Sequence, residues 1–167
     1  RRCHPAPVVR RSDARQMQPG PVAEADARWR IYAFAGRADS SAPGSAIHKL
    51  ADWLENDPKS PVVRHTRPGE DIDAVIDFRA VFQQTFDQLA YEQMPSLLKP
   101  RTGKLGLQDH EKVFCVDHKG VGDIFDMRGN DRDTGCMVVV RPDQYTAHVL
   151  PLDGFDELSE FFAGFLR

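Results

Sequence analysis

The side chains able to do chemistry in this chain are few and far apart. Cysteines stand at positions 3, 115 and 136. Their number is odd, their spacings are wide and no Cys-x-x-Cys occurs. That argues against a disulfide scaffold, a zinc ribbon and a thioredoxin-type redox pair, and a reducing, cytoplasmic compartment is the simplest setting. Cys115 and Cys136 sit among apolar neighbours and fit small buried hydrophobes. Cys115 and His118 are three residues apart, yet a Cys–His nucleophile needs hydrogen-bond reach and a third, orienting group. Spacing supplies neither.

His48, His65, His110 and His118 are scattered. Asp109-His110-Glu111 and Asp117-His118 place candidate metal ligands side by side, but no H-x-x-x-H or H-E-x-x-H spacing occurs, so surface histidines are expected. The acidic stretch Asp123–Asp133 lacks the glycine and glutamate that a calcium loop needs at its sixth and twelfth positions, and a solvated turn is expected there. Gly120-Val-Gly122 repeats only the first half of G-x-G-x-x-G, with no surrounding βαβ unit to hold a dinucleotide.

The elements that would position such groups follow from hydrophobic patterning. Arg28–Ala35 is rich in β-formers and apolar on both faces, the mark of a central strand. Gly36–Gly44 is a loop. Ile47, Leu50, Ala51 and Leu54 then form one helical stripe starting near Ser45 and ending before Pro58. Between Ile72 and Phe82, apolar and mixed positions alternate as a second strand. In residues 83–112, Phe86, Leu89 and Ala90 suggest a short helix, and Pro95, Pro100, Gly103 and Gly106 break the rest into irregular loop. Cys136–Val140 is a buried strand, Arg141-Pro-Asp-Gln144 a type I turn and Tyr145–Leu150 the return strand. Asp153 is expected to cap a last helix whose stripe includes Leu158, Phe161 and Phe165. Ile31, Ile76, Val138, Val140 and Val149 are expected in the core.

The order strand–helix–strand, irregular region, hairpin, helix is the thioredoxin-like plan: an α/β three-layer sandwich with a mixed sheet and helices packed on it. In a redox-active member the nucleophilic cysteine sits after the first strand, at the N-terminus of the first helix, where the helix dipole lowers its pKa. That stretch here, Gly36 to Ser45, has no cysteine.

With 167 residues, 41% hydrophobic and 28% charged, the chain suits one globular domain preceded by an arm. Residues 1–24, with Pro5, Pro7, Pro19, Gly20 and Pro21, form the expected extended arm or linker, with Pro7–Arg10 and Gln16–Gln18 as its extended pieces; residues 25–167 form the domain. The arm is expected to lie on another surface, such as a neighbouring domain. The net charge of −3 is too mild to predict a nucleic-acid partner, although residues 1–30 hold seven arginines against three acids. No apolar run approaches a membrane span, and Arg1, Arg2, Arg10 and Arg11 are not followed by the apolar core of a signal peptide.

Five stretches together resemble a known family: Ser12–Arg15, Ala27–Ala35, Phe78–Gln84, Thr102–Leu107 and, most specifically, Gly135-Cys-Met-Val-Val-Val-Arg-Pro-Asp-Gln-Tyr145. They are similar to the C-terminal domain of flavin-dependent aromatic hydroxylases of the phenol hydroxylase and 3-hydroxybenzoate 4-hydroxylase type. The resemblance implies a thioredoxin-like domain without redox cysteines, attached after FAD-binding and substrate-binding domains and associated with homodimer formation. The complete enzymes use FAD, NAD(P)H and dioxygen to hydroxylate a phenolic ring. Their cofactor motifs lie in those other domains, so no catalytic, cofactor-binding or metal residue is carried onto this chain. Two departures stand out: Pro19-Gly20-Pro21 replaces a common Leu-Gly-His, and Ala25-Asp26-Ala27-Arg28 replaces Ala-Asp-Gly-Arg, which removes a flexible turn position. A stand-alone thioredoxin-like peroxidase or glutathione-type transferase, or a non-catalytic interaction module, is the alternative.

Overall fold

The computed structural model describes residues 7–17, 26–39, 41–117, 124–125 and 131–166. In chain order the strands are β1 (Val8–Arg10), β2 (Gln16–Met17), β3 (Trp29–Phe34), β4 (Ile76–Phe82), β5 (Arg101–Thr102), β6 (Leu107–Gln108), β7 (Val113–Val116), β8 (Cys136–Val140) and β9 (Thr146–Leu150). The helices are α1 (Ala46–Asn56), α2 (Pro61–His65) and α3 (Phe155–Ala163). Seven strands make one sheet in the order β2-β1-β7-β4-β3-β8-β9, and β5 and β6 form a separate hairpin.

The centre of the sheet is β3 beside β4, parallel, with Ile31 opposite Phe78 and Ala33 opposite Ala80. Parallel neighbours require a crossover, supplied by α1 and α2. Ser45 caps α1, its side chain accepting from the His48 amide, and the stripe Ile47, Leu50, Ala51, Leu54 is buried against the sheet. Ser60 and Pro61 then start α2 as cap and first helical residue, since proline fits where no amide donor is needed. The buried Ser60 hydroxyl also donates to the Leu54 carbonyl at 2.5 Å, tying the end of α1 to the start of α2.

Leu158 and Phe162 of α3 complete this helical layer, and the Trp29 ring meets those of Phe161 and Phe162 edge-on at 5.9 and 5.3 Å. The opposite sheet face buries Tyr32, Phe34, Val81, Phe114, Val138 and Val140, with Ile124 and Phe125 packed over it. Phe125 stands perpendicular to Phe34 at 5.5 Å. The mixed α/β sheet with helices packed on it, as read from the sequence, is present, with Ile31, Ile76, Val138 and Val140 buried.

Several expectations are corrected. Val149 is 54% exposed, because β9 is the last strand of the sheet and Val149 lies on its less covered side. Phe165 is 64% exposed, because α3 ends at Ala163 and Phe165 follows the Gly164 cap. Gly154, not Asp153, is the N-cap of α3, and no side chain caps it. The second strand starts at Ile76 rather than Ile72, after a turn in which the Ala74 amide donates to the Asp71 carbonyl. The short helix near Phe86 is absent; the chain instead makes a turn there and 3-10 turns at Tyr91–Gln93 and Ser96–Leu98, the second opening immediately after Pro95.

β7 is an additional strand, parallel to β4, beyond the elements expected from patterning. The pieces expected to be extended near the N-terminus are β1 and β2. They lie on this domain's own sheet, β1 pairing with β7 and Val8 fully buried, rather than on another domain. Arg10 reaches Asp13 and Glu111, and Arg11 donates to the Leu89 carbonyl at 3.0 Å.

Two backbone positions set local geometry. In the β8–β9 hairpin the Gln144 amide donates to the Arg141 carbonyl, and Gln144 itself has φ +66°. The loop is thus a type I turn followed by a left-handed residue, a three-residue hairpin connection. Ala27, just before β3, has φ +64°. Its place in the family is commonly taken by glycine, and the structure gives the reason: a left-handed residue is required there, not a flexible one.

Ala27→Gly is therefore expected to raise stability by about 0.5–1 kcal/mol, the relief of left-handed strain less the entropy of glycine in the unfolded chain. Pro142→Gly is expected to lower it by about 0.4–1 kcal/mol by freeing the unfolded chain. Urea midpoints at constant slope check both; an Ala27→Gly midpoint below that of the native chain refutes the first.

Candidate functional site: a filled helix terminus and a buried charge network

The place where a thioredoxin-like domain keeps its reactive thiolate is taken here by a carboxylate. Asp39, 8% exposed, turns back onto the start of α1; its Oδ1 accepts from the Ala46 amide at 3.0 Å and its Oδ2 from the Ile47 amide at 3.1 Å. With Ser45 accepting from His48, three amides of the first turn are satisfied by protein side chains. The loop is anchored from behind. Gln84 donates to the Asp39 carbonyl at 2.8 Å, and His48 Nε2 lies 2.9 Å from the Ser41 carbonyl and 2.7 Å from the Gln93 carbonyl. Both partners accept, so this nitrogen carries the proton.

The same geometry bears on flavin or nicotinamide binding. A pyrophosphate needs free amides at a helix N-terminus. The amides of α1 are occupied, and the first turn of α3 carries Asp156 and Glu157, which repel an anion. These helix starts do not fit a dinucleotide.

The cysteines are held apart. Cys115 in β7 belongs to the helix-covered core, and burial pushes its thiol up to about 12, so it stays protonated at neutral pH. Cys136 opens β8 and packs with the opposite face. Both are free. Cys3, His118 and the segment from Gly120 to Asp123 lie outside the described residues, as do residues 126–130 of the acidic stretch. At its end, Asp131 accepts from the amides of Asp133 and Thr134, closing a turn. His65 is half-buried, and burial together with Arg64 pushes its pKa down. His110 is exposed, with Nδ1 2.7 Å from the Tyr91 hydroxyl. Among the described residues no three histidine, cysteine or acidic side chains gather to hold a metal ion.

What the structure does gather is charge. The parallel strands β3, β4 and β7 begin at the same end of the sheet, so the residues around their starts meet. Asp77, fully buried, accepts from Lys112 Nζ at 2.6 Å and from Arg79 Nε at 2.8 Å, with Arg30 Nε at 3.5 Å. Lys112 also donates to Asp73 at 2.7 Å and stands 3.4 Å from Asp109. Arg28 joins Asp73 to Asp26, and Arg30 closes the ring onto Asp26 at 2.8 Å. Four cations face four carboxylates. Burial alone pushes Asp77 up, but Arg79 and Lys112 outweigh it and hold the carboxyl below its ordinary value. Burial likewise opposes the charge on Lys112, and Asp77 and Asp73 outweigh it, so its pKa is raised.

Sequence reasoning did not assemble this network. Its signal was the alternation of Asp73, Asp77 and Arg79 with apolar residues, which gives one charged face but not its burial.

Asp77→Asn is expected to cost about 3–5 kcal/mol at pH 7, since it leaves buried cations short of a partner. The folded-state pKa of Asp77 is depressed, so its contribution is present above the unfolded value of about 3.9 and lost as pH falls through the folded value. The stability gap between native chain and variant, measured by urea unfolding, is therefore expected to narrow below about pH 3.9.

Comparison with known proteins gives these features a context. The sequence model of the family described as "Phenol hydroxylase, C-terminal dimerisation domain" matches residues 1–167. The chain is 51% identical to a 3-hydroxybenzoate 4-monooxygenase of Comamonas testosteroni, over 99% of this chain and 26% of that protein. It is 32% identical to the FAD-dependent monooxygenase terD of Aspergillus terreus, over 97% of this chain and 27% of that protein. The chain thus spans about a quarter of the length of these relatives. Among solved structures, an exposed lipoprotein thioredoxin of Streptococcus pneumoniae aligns over 95% of this chain and 99% of its own, at 11% identity and TM-score 0.43. With the family match covering every residue, this chain belongs to the phenol hydroxylase C-terminal dimerisation domain family.

Proposed function

We propose that this chain serves as the C-terminal accessory and dimerisation domain of an aromatic-ring monooxygenase. The parent enzyme hydroxylates a phenolic compound such as phenol or 3-hydroxybenzoate with FAD, NAD(P)H and dioxygen, in the cytoplasm. Its partners are the FAD-binding and substrate domains of its own parent chain and a second subunit. No residue of this chain takes part in catalysis or cofactor binding. The observation that carries this reading is 51% identity to a 3-hydroxybenzoate 4-monooxygenase along the whole chain. The filled α1 terminus supports it, because Asp39 holds the amides that a thiolate or phosphate would use.

In this role the domain's work is mechanical. A sheet buried on both faces and locked at one end by ion pairs deforms little, so a contact made at its surface holds a neighbouring active site at a fixed geometry.

Purified chain is expected to bind no FAD, to leave insulin disulfides intact in the presence of dithiothreitol, and to run as a dimer in light scattering. A yellow stoichiometric complex or insulin reduction overturns the accessory reading; a strict monomer at high concentration overturns the dimerisation role.

A further inference from the structure

The two edges of the sheet are not alike. At one edge, β2 is only two residues long and covers β1, whose chain continues toward the N-terminus. At the other edge lies β9, Thr146–Leu150, with no strand beyond it among the described residues. Six strand spacings of ~4.8 Å put these edges roughly 29 Å apart.

Natural edge strands avoid sticking by being very short or by carrying charge or proline. β2 is very short. β9 has five residues, none charged and none proline, and its stretch His148–Leu150 keeps regular register against β8; a bulge at Ala147 confines the irregularity to the hairpin end.

Three exposed large apolar side chains lie at this same edge, on both of its faces. Val149 is 54% exposed on the side away from the helices, Phe165 is 64% exposed on the helix side, and Tyr145 is 47% exposed at the hairpin. On the helix side a groove of about 700 Å³ runs along the edge between Trp29, Phe161 and Phe165 and the hairpin residues Pro142 and Thr146. A partner that only covered one face would bury Val149 or Phe165, not both. A strand added to the edge buries both.

We infer that β9 is the self-association edge of this domain: two copies pair β9 with β9 antiparallel about a two-fold axis, joining their sheets and closing the Trp29–Phe165 grooves over each other. The inference rests on the dimerisation reading above and names its surface. A two-fold contact must be self-complementary, and an antiparallel pair of one strand with its own copy meets that condition by construction. Aromatic side chains beside the strand supply the apolar centre that a standard interface of ~800 Å² per partner needs.

Light scattering and concentration-dependent hydrogen exchange on the full 167-residue chain test it. Val149→Lys sets like charges against each other in the paired edge and is expected to weaken the dimer at least about tenfold, with an unchanged melting temperature of the monomer. Phe165→Ser is a second variant, at an exposed position beyond α3, expected to act in the same direction. Leu105→Lys/Leu107→Lys, in the more exposed β5–β6 hairpin, is expected to leave the dimer intact. Amides of residues 146–150 are expected to gain protection as concentration rises. If the native chain dimerises but neither edge variant weakens it, or protection of 146–150 does not depend on concentration, the edge assignment is wrong while dimerisation stands. If the native chain never dimerises, both readings fall.

Discussion

A carboxylate with no access to water organises one end of this domain. Asp77 sits where three parallel strands begin, and Lys112 just before β7, Arg79 in β4 and Arg30 in β3 converge on it. A buried ion costs several kcal/mol of lost hydration, recovered only where partners are close and well placed. The network therefore fixes relative strand positions more sharply than apolar contacts do, since a one-residue slip would strand a charge in the interior. Arg30 is the register partner of Asp77, so the β3–β4 pairing and the ion pair specify the same alignment. From that alignment follow the placing of α1 over the sheet and the position of the Gly36–Ser45 loop at the opposite end.

At that opposite end, where a redox-active member of the plan read from the sequence would keep its thiolate, the electrostatics are already balanced. The partial positive charge at the start of α1 meets the Asp39 carboxylate within hydrogen-bond distance. Gly135, at φ +70°, packs so close that a Cβ would collide with the Phe34 carbonyl oxygen. The fold's usual reactive corner has become part of its frame.

Much of this was legible in the sequence. The strands β3 and β8, the α1 stripe with its Ser45 cap, and the hairpin at Arg141–Gln144 all follow from periodicity and turn chemistry, because each is encoded in neighbouring residues. What was illegible depends on distant ones. Val113–Val116 is too short a run to declare itself a strand; it is one because β4 and β1 flank it. Val149 alternates correctly for burial, but exposure is decided by its strand being last in the sheet. Ser60-Pro61 did carry a helix-start signal, and it lay in a stretch whose apolar residues are too few to form a stripe. The charge network needed three segments far apart in the chain, around Asp26–Arg30, Asp73–Arg79 and Asp109–Lys112, and single-sequence patterning cannot bring them together. Asp39 capping α1 from six residues before Ser45 lies beyond the usual capping spacing.

The domain also holds its parts by two kinds of ion pair that respond differently to dissolved salt. Mobile ions screen exposed charges over ~8–10 Å but cannot enter a site like that of Asp77. The N-terminal segment is held in part by Arg10 to Asp13 and Glu111, whose carboxylates are largely open to solvent. Rising ionic strength thus loosens the outer strands β1 and β2 while leaving the strand starts locked. The outer edge of the sheet on this side, rather than its interior, is thus the part of the domain that senses the surrounding electrolyte.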